Sequence, residues 1–152
     1  MTLDEFLVRA KQNTYAAEAG GVSPEILGDG AEQFVYREGD LEYRDRSYGF
    51  DPFGGEELVR ERGGAIWCMH YWGKVLSAST EPAGVFRFLK TVLREVPKDR
   101  PFRGPPSFRD GPWSYRCQVS GTVGCFHGEE TISYQEFLVY RCVYHGGALH
   151  QK

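Results

Sequence analysis

"FGGEELVRER", residues 53–62, decides the fold because part of it returns as FHGEE at residues 126–130. The segments around it also correspond, YREGDLEYR at 36–44 to FRDGPWSYR at 108–116 and WCMHYWGKVL at 67–76 to YRCVYHGGAL at 140–149. The two copies lie too far apart along the chain, and are too few, for a solenoid of short repeats. We therefore predict that one supersecondary unit occurs twice in the chain.

A helical pattern precedes each copy. In DEFLVRAKQNTY the apolar residues recur at helical spacing, and Thr2 followed by Glu5 is a capping-box signal. In VFRFLKTVLREV the same spacing recurs, Thr80 can cap the helix, and Pro82 suits its first turn. The Pro-rich stretch 97–112 is expected to connect elements over the surface. Each copy is thus predicted to begin with a helix.

Strand signals follow each helix. LEYRDRS and IWCMHYW alternate with a period of two, and Gly63-Gly64 marks a hairpin turn between strands. We predict a single α+β domain over residues 1–152, internally duplicated as a helix-plus-antiparallel-strands unit. Its two αβββ-type halves are related by pseudo-twofold symmetry, with repeat one at about residues 2–76 and repeat two at about 80–149.

Charge and cysteine usage exclude several classes of function. The net charge is −3 with both signs scattered, so no direct nucleic-acid partner is predicted. No secretion signal and no apolar run of ~18 residues occur, so we predict no membrane association. The four cysteines lack CxxC spacing, which favours a cytoplasmic protein with reduced thiols and no metal or other cofactor. A disulfide between Cys117 and Cys125 is the alternative if VSGTVG forms a hairpin.

The recurring glutamates suggest a binding site. On their strands Glu57 shares a face with Val59, and Glu130 with Ile132, so one carboxylate of each pair is expected to point inward. A buried carboxylate must be paired, or its pKa must rise. The predicted pocket for a small organic ligand, cationic or aromatic, is formed by Glu57, Glu130, Trp67, Tyr71, Tyr140 and Tyr144. Such a domain would be a non-catalytic binding or sensor module.

Other readings of these residues stay open. The glutamates can instead form structural salt bridges with Arg44 and Arg116, which also recur. A Cys/His metal site lacks any four-ligand spacing, and no GxSxG, P-loop or HExxH motif occurs. A small enzyme with Glu57 or Glu130 as general base is the second hypothesis. A module that forms homodimers through a strand edge is the third.

Several stretches resemble an uncharacterised prokaryotic domain family. They are MTLDEFLVRAKQNTYA, YREGDLEYRD, the GGEE segment, REVPKDRPFRGP and the terminal YHGG, and they cover nearly the whole chain. Members occur alone or behind a helix-turn-helix regulator domain of the XRE type. The resemblance assigns no catalytic residue, and it implies a ligand-sensing module. This chain has no helix-turn-helix portion, so the resemblance implies no DNA binding here.

Overall fold

The computed structural model describes residues 1–152 and consists of two helices and nine strands. The helices are α1 (Leu3–Asn13) and α2 (Pro82–Leu93). The first five strands are β1 (Glu25–Ile26), β2 (Glu32–Glu38), β3 (Leu41–Gly49), β4 (Phe53–Glu61) and β5 (Gly64–Val75). The remaining strands, which follow α2, are β6 (Ser107–Asp110), β7 (Trp113–Thr122), β8 (Cys125–Tyr134) and β9 (Phe137–Ala148).

All nine strands belong to one antiparallel sheet with the order β1-β2-β3-β4-β5-β9-β8-β7-β6. Consecutive strands are joined by hairpins on both sides, as period-two alternation between turn signals predicts. In the middle of the sheet, β5 and β9 join its two sides. Each of these strands is 12 residues long, and they pair from Trp67–Ala148 to Val75–Tyr140. The last strand of the chain therefore lies at the centre of the sheet.

The predicted fold class, an α+β domain made of two αβββ-type halves, is wrong. The protein is mainly one continuous antiparallel sheet with two short helices, of 11 and 12 residues. Two physical reasons account for the error. The long β5–β9 pairing merges the predicted halves into one sheet, and the short strands β1 and β6 at its edges have too few residues to show a period.

Both helices lie on one face of the sheet. In α1 the predicted capping box is present, with the Thr2 hydroxyl accepting from the Glu5 backbone N–H and the Glu5 carboxylate accepting from the Thr2 N–H. In α2 the N-cap is Glu81 rather than Thr80, and Pro82 begins the first turn. The apolar side of α2 packs on β6 and β7, where the Phe88 ring stacks on Trp113 at 5.4 Å between centroids.

Side chains alternate strictly between the two faces along β5. Trp67, Met69 and Tyr71 are buried beneath the helices, whereas His70 and Trp72 are exposed on the other side. We call the helix-covered side the inner face and the opposite side the outer face. The core lies on the inner face, and any enclosed site must lie there too.

The connector between α2 and β6 enters the core, although the sequence indicates a surface path. Phe102 is 1% exposed and stacks on Phe126 of β8 at 3.8 Å between centroids, and Arg103 is also buried. The backbone can enter because its carbonyl at Phe102 accepts a hydrogen bond from Lys11, at 2.8 Å. A buried charge such as Arg103 requires a partner, which the inner face supplies.

The four cysteines are free, as predicted. Cys117 faces Glu130 across β7 and β8, and Cys125 pairs in register with Thr122, so the alternative disulfide is not formed. Neither helix has the length and apolar character that a membrane crossing requires.

Candidate functional site

A cavity of about 480 Å³ lies between the inner face and the two helices. Its walls are contributed by β2 to β5, by both helices and by the buried connector at Phe102 and Arg103. This volume is within the range of ~300–1,000 Å³ that is typical of small-molecule sites. The exposed side chains of Glu32, Phe50, Arg87 and Lys90 also line it, so the cavity opens to solvent between β2 and α2.

Two carboxylates meet at the floor of the cavity. Asp45 of β3 and Glu57 of β4 are direct register partners on the inner face, and both are buried. The ammonium group of Lys11, from α1, donates to Glu57 Oε2 and to the Phe102 carbonyl oxygen. Burial lowers the pKa of Lys11, while the Glu57 carboxylate acts to raise it. Glu57 therefore has its own cation, whereas Asp45 does not.

Asp45 has a single hydrogen bond. Its Oδ1 accepts from the Tyr71 hydroxyl at 2.5 Å, and no donor contacts Oδ2. Burial, followed by repulsion from Glu57, raises the pKa of Asp45 to about 7, against the lowering effect of the Tyr71 hydrogen bond. At neutral pH the Asp45 carboxyl group is therefore poised between its neutral and charged forms.

Glu130 of β8 forms a second buried ion pair beside the cavity. Its Oε1 accepts from Arg103 Nε at 3.0 Å and from the Tyr140 hydroxyl at 2.9 Å, and its Oε2 accepts from the Tyr115 hydroxyl at 2.6 Å. Burial acts to lower the pKa of Arg103, but Glu130, Cys142 and Tyr140 together outweigh it, and the net pKa is well above the usual range. Both carboxylate oxygens of Glu130 accept hydrogen bonds, and the side chain is fully buried and does not line the cavity, so a ligand in the cavity does not reach it.

The buried charges at this site do not cancel. Lys11 is paired with Glu57, and Arg103 with Glu130, which leaves the Asp45 carboxyl group without an ion-pair partner. Lys11 and Arg103 act on Asp45 only from a distance, and they lower its pKa by less than burial and Glu57 raise it. The Arg103 guanidinium lies 5.5 Å from the centre of the Tyr71 ring, but it donates only to Glu130. An uncompensated buried carboxylate is costly, so Asp45 must either hold a proton or face a cation.

An aromatic wall runs from the mouth of the cavity to this floor. Phe50 contacts Phe86 of α2 edge-on at 5.1 Å between centroids, and Phe86 contacts Phe53 at 5.6 Å. Phe53 in turn lies 6.1 Å from Tyr71, the hydroxyl of which reaches Asp45. The wall offers ring faces and edges along the whole depth of the cavity.

A glycine makes room for the inner end of this wall. Gly55 is the register partner of Tyr71, and a Cβ atom there would lie 2.5 Å from the Arg46 carbonyl oxygen and would also collide with the Tyr71 hydroxyl. Gly128 stands in the same relation to Tyr144 across β8 and β9. The glycine two residues before each inward glutamate therefore lets a tyrosine ring lie flat over the neighbouring strand.

The structure divides the predicted site residues into two groups. Glu57 and Tyr71 line the cavity. Trp67, Tyr140, Tyr144 and Glu130 lie in the core beside it and do not line it. The inward orientation predicted for Glu57 and Glu130 is as observed. The arginine partners are different, since Arg44 pairs with Glu56 at 3.1 Å on the outer face.

Three important residues were missed at the sequence level: Lys11, Asp45 and Arg103. Asp45 follows Tyr43 by two positions in a strand, so the period that buries Tyr43 also places Asp45 inward. Lys11 follows the buried Leu7 by one helical turn, which is a comparable signal. For Arg103 no local pattern exists, because its partner Glu130 is distant along the chain.

The structure contains no group of three or more Cys, His, Asp and Glu side chains that is placed to hold a metal ion. His70 and His145 are register partners, and their rings stack at 5.6 Å on the outer face. His70 also contacts Glu56 at 3.0 Å. These side chains lie across the sheet from the cavity and take no part in it.

A family model for a domain of unknown function, DUF5680, matches residues 45–149. The chain belongs to the DUF5680 family. The matched part of the DUF5680 domain contains Asp45, Glu57, Arg103 and Glu130, whereas α1 with Lys11 precedes it. Neither the search of curated proteins nor that of solved structures found a match. The family assignment thus defines the domain, and its function must be inferred from the cavity.

Proposed function

We propose that this domain binds a small aromatic cation in the cavity and acts as a non-catalytic sensor or binding module. The observation that carries the proposal is Asp45, a buried carboxyl group that lines the cavity and has no cation of its own. A ligand ammonium group at Oδ2 would supply the missing charge. It would also stabilise the ionised form of Asp45 and so lower its pKa.

The aromatic wall supports the same ligand class. Phe53, Phe86 and Tyr71 present ring edges and faces along the cavity, and cations are attracted to ring faces in desolvated sites. The flat shape of an aromatic ligand also suits stacking against these rings. The cavity is apolar in most of its lining, so burial of an aromatic body contributes to affinity as well.

The test is isothermal titration calorimetry of the full chain with 2-naphthylmethylamine and its neutral analogue 2-naphthalenemethanol. The amine should bind at least about tenfold more tightly than the alcohol, since a desolvated charge pair contributes about 1.4 kcal/mol or more. Asp45→Asn should abolish this preference, and Asp110→Asn on the exposed strand β6 is the matched control. If the amine does not bind, or binds equally well to Asp45→Asn, the proposal is wrong.

Proton-transfer catalysis is the second candidate function. The observation in its favour is again Asp45, because a carboxyl group with a pKa of about 7 in an apolar cavity is suited to general acid–base chemistry. Glu57 is less suited to that role, since Lys11 occupies its Oε2. A bound ligand recovered chemically unchanged after long incubation supports the sensor, whereas deuterium exchange into the ligand from D₂O supports the enzyme.

The proposal extends to the cellular role of the domain. The resemblance to domains that follow helix-turn-helix regulators favours ligand sensing in a prokaryotic cytoplasm. Dimerisation through a strand edge has little support, because the edge strands β1 and β6 have only two and four residues. Short edge strands offer few unpaired backbone groups to a second chain.

A further inference from the structure

The mouth of the cavity carries charge of the opposite kind from its floor. Arg87 and Lys90 lie one turn apart on α2, both line the cavity, and both are exposed. Neither side chain has an ion-pair or hydrogen-bond partner within the protein. Glu32 lies at the mouth on the β2 side, so the three charges there sum to a surplus of one positive charge.

The aromatic wall separates these cations from Asp45. It begins at Phe50 and Phe86 beside the exposed side of α2, continues through Phe53, and ends at Tyr71 on Asp45. A ligand stacked along the wall would therefore have one end at the buried carboxyl group and the other near Arg87 and Lys90. The two ends meet opposite charges.

We infer that the ligand is a bipolar aromatic molecule, with an ammonium group at one end and a carboxylate or phosphate at the other. This inference rests on the proposed function and adds the anionic end to it. The ring lies between the two charged groups, because the wall lies between Asp45 and the basic pair. Arg87 and Lys90 determine specificity for the anionic end, and Asp45 for the cationic end. Guanidinium and ammonium groups bind both carboxylates and phosphates. The structure therefore indicates a negative charge at this end of the ligand and does not distinguish the two groups.

The test extends the calorimetry to 6-(aminomethyl)-2-naphthoate, which adds a carboxylate to the amine probe at the far side of the ring. We expect this zwitterion to bind about fivefold more tightly than 2-naphthylmethylamine at low salt, as two exposed ion pairs would allow. The gain should shrink at 0.5 M NaCl because exposed charges are screened. The double variant Arg87→Gln/Lys90→Gln should lose the gain while it binds the simple amine at least as well as before.

A charge-matched control distinguishes local contacts from net charge. Lys74→Gln/Arg116→Gln removes two exposed cations away from the cavity, and it should keep the full preference for the zwitterion. Equal binding of zwitterion and amine to the wild-type chain would overturn this inference and leave the proposed function intact. Binding of neither probe would overturn both. Replacing the carboxylate with a phosphonate on the same ring then shows which anion is preferred.

Discussion

At the scale of single residues, Gly55 determines whether the floor of the cavity can form. Gly55→Ala would place a methyl group against the Arg46 carbonyl and the Tyr71 hydroxyl. We expect a loss of about 1–3 kcal/mol in the free energy of unfolding, as for an overpacked interior, together with weaker binding of the amine probe. The control is Gly64→Ala, where a Cβ atom would lie 3.6 Å from its nearest neighbour. Equal stability of the two variants in urea denaturation would contradict the close packing of Tyr71.

Asp45 should make stability depend on pH in the direction opposite to an ordinary salt-bridged acid. Its pKa is about 7 in the folded protein and 3.8 in the reference state, so the folded protein binds more protons between those values. The free energy of unfolding should therefore fall as pH rises from about 4 to 7, by about 4 kcal/mol at most. Asp45→Asn keeps an acceptor for Tyr71 and removes this decline. The free energy of unfolding of the variant relative to the wild type should therefore increase as pH rises from about 4 to 7. Urea denaturation of both proteins at a series of pH values measures this difference. A difference that stays constant would contradict the raised pKa.

The face on which a residue lies was predictable from the sequence where the two-residue alternation of a strand determines it. Glu57 and Glu130 face inward because the strand alternation that buries Val59 and Ile132 also buries them. The same alternation, continued along β3 past Tyr43, also places Asp45 on the inner face. The partners of the glutamates were not predictable, because α1 and the connector bring Lys11 and Arg103 to them through tertiary packing alone.

At the scale of elements, β8 contains two consecutive glutamates, of which Glu130 is buried in the core and Glu129 lies on the outer face. Glu130 neutralises Arg103 in the core, whereas Glu129 pairs with Arg141 on the outer face. Glu130→Gln should cost about 3–5 kcal/mol in the free energy of unfolding because it leaves a buried guanidinium unpaired. Glu129→Gln should cost less than about 1 kcal/mol. Thermal and urea denaturation of the two variants check the contrast, and similar losses would argue against it.

The helices and main strands were predictable as elements, but their assembly was not. The Thr2–Glu5 capping box and the apolar spacing located α1, and alternation located β3 and β5. The connector was misjudged because its prolines and charges resemble a surface loop, while Phe102 and Arg103 find partners only across the sheet. Long-range pairing is the part of a fold that local patterns specify least.

At the scale of the whole molecule, the central β5–β9 pair should make the chain unfold as one unit. These strands link the five strands on one side to the four on the other through nine register pairs. We expect coincident urea transitions by tryptophan fluorescence and far-ultraviolet circular dichroism. The slowest amide hydrogen exchange should occur in β5 and β9, and the fastest in β1 and β6. Two separate transitions would show that the halves fold independently.

The central claim is that Asp45 is a buried carboxyl group with a raised pKa that binds the cation of a ligand. Carboxyl ¹³C NMR of the labelled protein measures the pKa of this group directly. The Asp45 side-chain carbon should titrate with a midpoint near pH 7, as its burial and the neighbouring Glu57 require. Saturation with 2-naphthylmethylamine should lower that midpoint, because the bound ammonium group favours the ionised form. A midpoint near 4 that does not change when the amine is added would contradict the account.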